Sequence, residues 1–167
     1  MSTEPKTIRS IKIIGVGNSF RGDDGAGRAV ARELASIAWP GVTVLEATGE
    51  GGALMDAWAD ADTVILIDAV QAQGEPGAVY RFDARKDPPP ADFFNYSTHA
   101  FSVAEAVQLA RTLDQLPTTL LLYGIEGAAF EQGAGLSPAV EAAVHIVADR
   151  ICADVLSILP VGSRMPA

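Results

Sequence analysis

Apolar residues recur along this chain in two rhythms: short unbroken runs, and longer stretches in which they return three and four positions apart. The first run, about Ser10 to Val16, predicts a strand. Ala26 to Ala38 predicts a helix with Val30, Leu34, Ile37 and Ala38 on one face, closed by Trp39-Pro40-Gly41. A second strand follows at Val42 to Glu46, and then a short helix at Ala53 to Ala61 with Leu54, Met55 and Trp58 inward. Thr63 to Val70, T-V-I-L-I-D-A-V, is the strongest strand of the chain. It is nearly all apolar, as a central parallel strand covered on both faces should be, and it finishes in a lone carboxylate, Asp68. The connection Q-A-Q-G-E-P-G is too short for the crossover of roughly a dozen residues that parallel strands need. Ala78 to Asp83 should therefore run antiparallel. A proline-rich surface loop leads to a helix at Ser102 to Leu113, carrying Val103, Val107, Leu109 and Ala110. Thr118 to Ile125 is the last strand. A mobile-looking glycine loop follows it, and a long helix begins near Ser137 with Pro138 in its first turn.

Strands alternating with helices, one strand reversed, predict an α/β fold: a three-layer α/β/α sandwich around a mixed five-stranded sheet. Right-handed crossovers would send the strands outward in both directions from the first. The crevice where the winding reverses then lies between the ends of the first and third strands, where such sheets bind ligands. Asp24 follows the first of these strands and Asp68 ends the other.

Composition narrows the function classes. The 167 residues, 49% of them hydrophobic, suit one well-filled domain, 1–167, rather than two. A formal net charge of -9 argues against nucleic acid as a partner, because phosphate binding needs a basic face. The single cysteine, Cys152, cannot form an internal disulfide and reads as a small buried hydrophobe in a reducing compartment. No apolar run reaches the ~18 residues of a membrane span, and the N-terminus has no apolar signal core. The expectation is a cytoplasmic protein without a membrane partner.

The chemistry concentrates in I-I-G-V-G-N-S-F-R-G-D-D-G-A-G, where the first strand turns through a glycine loop into a helix. A dinucleotide fingerprint would place a third glycine at position 20, which is Phe20, and Asp23 and Asp24 would repel a pyrophosphate. Two adjacent carboxylates point to a cation site; the competing reading is that one of them caps the helix starting near Gly25. His99, in a polar loop before the third helix, belongs to the same edge of the sheet. Asp24, Asp68 and His99 together would make a thin, open site for a divalent metal of borderline hardness, its other ligands coming from water or a partner. His145, among alanines and valines, reads as structural. Ser19 and Ser102 lie in no G-x-S-x-G setting, so a serine triad is improbable. Proton sharing between Asp24 and Asp68, in the manner of aspartic proteases, stays open. So does nucleotide binding, weakly, through Glu46.

The motifs resemble the nickel-iron hydrogenase maturation endopeptidases. The resemblance rests on the glycine loop just quoted, I-L-I-D-A-V-Q-A-Q-G-E-P-G-A-V, S-T-H-A-F-S-V-A-E-A-V, Y-G-I-E-G and G-L-S-P-A-V-E-A-A-V, which together span nearly the whole chain. It implies strand order 2-1-3-5-4 with the fourth strand antiparallel. It also implies removal of a short C-terminal extension from the hydrogenase large-subunit precursor after nickel insertion. Asp24, Asp68 and His99 then fall where the family contacts the metal. That nickel is carried by the substrate, and no cofactor is permanently bound. Asp24 and Asp68 are the catalytic candidates, and the residues do not decide which group activates water. The alternative is a chaperone that binds the metallated precursor without cutting it. Two departures stand out: Asp23-Asp24 where the family often has Asp then Glu, and Ala47-Thr48-Gly49 in place of Gly-Gly-Thr.

Overall fold

Residues 10–48, 51–90, 93 and 103–159 are those described by the computed structural model. In chain order they form β1 (Ile11–Val16), a short 3-10 turn (Gly22–Gly25), α1 (Ala26–Ala35), β2 (Val42–Ala47), α2 (Gly51–Trp58), β3 (Thr63–Val70), β4 (Val79–Asp83), α3 (Val103–Thr112), β5 (Thr119–Glu126) and α4 (Pro138–Ile158). The strands make one sheet in the order β2-β1-β3-β5-β4. β1 is parallel to β2 and β3, β3 is parallel to β5, and β4 alone runs antiparallel, against β5. This is the three-layer sandwich the apolar pattern predicts, with the short connection after β3 reversing the chain as expected.

Every residue of β3 is buried, so the unbroken apolar run reflects a strand with helices on both faces. Alternation divides its side chains. Ile65, Ile67 and Ala69 enter the layer shared with α1 and α4, while Val64, Leu66 and Val70 enter the layer shared with α2 and α3. Asp68 has the parity of the second set and so faces the α2–α3 side, near the carboxyl end of the sheet.

Helix ends depart from the periodicity for local reasons. α1 stops at Ala35, three residues short of the predicted Ala38: the Ser36 hydroxyl donates to the Glu33 carbonyl, and the Ile37 amide to that of Leu34. α2 begins and ends earlier than predicted. The Lys12 ammonium reaches across from β1 to the carbonyls of Ala57 and Ala59, at 2.9 and 2.8 Å, and Asp60 takes a positive φ of 66° that a helix cannot continue. In α3, Ala106 is buried and Leu109 is exposed, because the narrow stripe facing the sheet is set by Val103, Ala106, Val107 and Ala110. Cys152 is partly buried against the α1–α4 layer. His145 lies outside that core, exposed, with Nδ1 3.0 Å from the Glu33 carboxylate of α1. Among the described residues no helix is long and apolar enough to cross a membrane.

The first turn of α1 sits directly over the fork between β1 and β3. A Cβ on Gly27 would collide with the carbonyl oxygens of both Ile67 and Val16, so only glycine lets the helix lie this close. Gly27→Ala is expected to lower stability by about 3 kcal/mol, or about 10 °C in thermal unfolding, because the obstacles are backbone atoms that cannot rotate away. Unfolding followed by circular dichroism measures this directly.

Candidate active site

The adjacent carboxylates of the first loop have separate fates. Asp23 is fully buried. It accepts hydrogen bonds from the amides of Ala128 (2.8 Å), Ala129 (2.9 Å) and Ser137 (2.7 Å), and from the Ser137 hydroxyl. Ser137 is the residue before α4, so its hydroxyl serves Asp23 instead of capping its own helix. Burial pushes the Asp23 carboxyl up, but the donors of Ser137, Ala129 and Ala128 outweigh it and hold the pKa below its ordinary value. Neither aspartate caps α1, whose N-cap is Gly25 with no side-chain bond. The expectation of a cation site built on both carboxylates, and that of a helix cap, therefore both give way at Asp23.

Asp24 stays at the crevice. Its Oδ2 accepts the Asn18 amide at 3.1 Å, and its residue is 8% exposed. Gly17, with φ of 141°, lets the loop fold back against the Asp24 backbone. Asp68 is 9% exposed, so both acids are nearly buried rather than on an open surface. One Asp68 oxygen accepts the amide of Ala69 at 2.8 Å. Burial, and then the neighbouring Asp24 charge, raise the Asp68 pKa well above its ordinary 3.8. A carboxyl whose proton affinity is raised by a neighbouring carboxylate at the end of a parallel sheet can share a proton with it or face a cation. Folding thus brings Asp24 and Asp68 together as their places in the chain predict. His99 lies outside the described residues; α3, which begins four positions later, packs against the sheet face that Asp68 occupies. Among the described residues no group of three or more His, Cys, Asp or Glu side chains could hold a metal ion.

Two features around this pair, the role of Glu126 and the fastening of the glycine loop after it, do not follow from the sequence reading. Glu126, at the end of β5 and 3% exposed, accepts the amides of Ala72 (3.0 Å) and Gly74 (2.9 Å), fastening the turn that leaves β3. Its signal was available, since it ends an apolar strand as Asp68 does. The glycine loop after it, mobile-looking by composition, is stitched to the first loop: Gly22 donates to Ala134, Asp23 to Ala129 and Gly133 to Phe20, all backbone to backbone. Beyond the end of β3 a cleft of about 340 Å³ opens between Gln71, Ala72, Gln73, Pro90 and Phe93. Glu46, the weak candidate for a ribose, is already engaged by Arg28 and Arg32 at 2.9 and 3.0 Å.

The architecture is that of the hydrogenase maturating endopeptidases. The chain is similar to HybD from E. coli, with a TM-score of 0.74 and 22% identity over 93% of this chain and 99% of that one. It is similar also to the [NiFe] hydrogenase maturation protease HycI from Thermococcus kodakarensis, with a TM-score of 0.67 and 25% identity over 91% and 95% of the two chains. In sequence, a putative hydrogenase maturation protease of Methanocaldococcus jannaschii is 29% identical, over 86% of this chain and 97% of that protein. The hydrogenase expression/formation protein HupD of Thiocapsa roseopersicina is 28% identical, over 89% and 70%. The family model described as hydrogenase maturation protease matches residues 29–154, and the chain belongs to that family. It is a peptidase. The matched stretch contains Asp68 and His99 and begins after Asp24.

The two buried acids should respond oppositely to pH. Asp23, with its pKa depressed, contributes stability above about pH 3.8 that is lost as the pH falls through its lower folded value. Asp23→Ala should therefore cost about 3 kcal/mol at neutral pH, since it leaves buried amides without an acceptor, and the gap to the parent should narrow in acid. Asp68, with its pKa raised, is neutral in both states below about pH 3.8 and increasingly costly as the pH rises through its folded value. Asp68→Asn should unfold at a higher temperature than the parent at neutral pH, with the difference vanishing toward about pH 4. Thermal unfolding of both variants across this range tests the assignment, and parallel profiles would refute it.

Proposed function

We propose that this protease removes the C-terminal extension of a nickel-loaded NiFe hydrogenase large-subunit precursor, and that Asp24, Asp68 and His99 recognise the nickel the substrate carries. The observation that carries this reading is the Asp24–Asp68 pair itself: two nearly buried carboxylates, mutually repulsive, at the sheet crevice. The family, with its hydrogenase maturation protease relatives, supplies the reaction class. The charge of Asp24 disfavours ionisation of Asp68. A docked divalent cation removes the repulsion and lets both acids ionise, so a precursor holding nickel is preferred over an empty one. An imidazole at His99 adds a borderline ligand suited to nickel. The metal arrives and leaves with the substrate, and the protease keeps none of its own.

Cleavage needs water to add to the scissile carbonyl, the C–N bond to break and the amine to leave with a proton. Asp24 or Asp68 can take the proton from water as general base, and nickel held by the substrate can polarise the carbonyl. The cleft beyond β3 offers a path for the extended segment. The protease membership favours cutting over the alternative of a chaperone that only binds the precursor.

The test is the intact mass of a large-subunit precursor incubated with the protein, with and without nickel in the precursor. A loss equal to the extension only in the loaded sample is the expected result; cleavage of both samples alike would remove the metal from recognition. His99→Ala and Asp24→Asn should each slow processing by about 100-fold without lowering the unfolding temperature. Affinity for the loaded precursor should fall as the pH is lowered, because the ligands must be deprotonated to meet the metal.

A further inference from the structure

Among the large hydrophobic side chains of the described residues that are substantially exposed, Phe20 is set apart by both degree and place. It is 76% exposed, against 38–52% for Leu109, Leu113, Ile146 and Leu156, which lie on or just beyond helices at the protein's outer layers. Phe20 instead sits in the first loop, between β1 and the turn that carries Asp24.

Its backbone is fastened on both sides. The Phe20 amide donates to Asn18 Oδ1 at 2.9 Å, its carbonyl accepts the Gly133 amide at 2.7 Å, and the Arg21 amide closes onto the Asn18 carbonyl at 3.2 Å. The Asn18 amide in turn donates to Asp24 Oδ2. The residue that positions Phe20 is thus the residue that holds Asp24. Two residues on, the Gly22 and Asp23 amides are tied to the carbonyls of Ala134 and Ala129. The aromatic rings of Tyr80 and Phe82, by contrast, each pack edge to face on Phe93.

A single exposed apolar side chain on a helix needs no special reason. An aromatic ring held out on a pinned loop is a different case: the ordering of its backbone is already complete, so a partner that covers it gains the burial without that entropic cost. Aromatic anchors of this kind carry a disproportionate share of recognition energy.

Building on the function proposed above, we propose that Phe20 is a specificity-determining anchor: its ring receives an apolar side chain of the large-subunit precursor and registers the client against the Asp24–Asp68 pair. Phe20 touches no reacting atom. Its contribution is to binding, so it should act on KM and leave kcat in place.

The experiment compares Phe20→Ala and Phe20→Leu with the parent, using the nickel-loaded precursor, by single-site kinetics of extension loss and by anisotropy of the labelled precursor. Phe20→Ala should raise KM and Kd by about tenfold with kcat within about twofold, and Phe20→Leu, which keeps apolar bulk, should recover most of the loss. The ring is largely exposed, so both variants should unfold at the parent's temperature. Cutting by the parent with unchanged KM and Kd in Phe20→Ala would overturn the anchor alone. Binding by the parent with no cutting would overturn the protease reading alone, while the Kd comparison still decides the anchor. Neither binding nor cutting by the parent would overturn both.

Discussion

The carboxylate of Asp23 joins parts of the chain that lie 105 to 114 positions apart, accepting amides from the start of the loop after β5 and from the residue preceding α4. The crevice depends on this junction. It fixes the 3-10 turn from which Asp24 projects, closes the glycine loop that Phe20 crowns, and seats the N-terminus of the longest helix. A buried charge is costly, but four donors and a position at a helix N-terminus offset the cost, and the depressed pKa is the sign that they do.

Asp24 and Asp68 show the opposite balance one residue and one strand away. Burial and the facing Asp24 charge raise the proton affinity of Asp68, so the fold keeps a local electrostatic tension there that a cation or a proton would relieve. Sites of this kind commonly lower stability in exchange for function. The surrounding structure bears that tension through groups that are fully satisfied: Glu126 holding the turn after β3, Asp23 holding the first loop, and Gly27 allowing α1 to close on the sheet.

The strand order, the reversed β4 and the partnership of Asp24 with Asp68 were legible because each follows from local rules: unbroken apolar runs, a connection too short to cross over, and acids falling at the ends of neighbouring parallel strands. The division of labour between Asp23 and Asp24 was not. Two identical side chains in one dipeptide differ only in which donors tertiary structure brings to them, and those donors are backbone amides more than a hundred positions away. For the same reason the loop after β5 looked loose from its glycines, although its neighbours in space fasten it. Helix ends missed by two or three residues were decided by a Lys12 side chain from another strand and by a Ser36 hydroxyl, which periodicity does not register. His99 rests on the sequence alone.

The span between Asp23 and Ser137 has a further consequence for how the protein comes into being. Synthesis is vectorial, and a nascent chain that has not yet emerged past α4's first turn has every strand of the sheet and the Ala128 and Ala129 amides, but not the Ser137 amide and hydroxyl that complete the donor set for Asp23. The first loop, made early, waits for the last helix. The first loop is therefore fully fastened only once α4 has begun, and a chain stalled before Ser137 would carry Asp24 and Asp68 beside a loop held by two of its four donors.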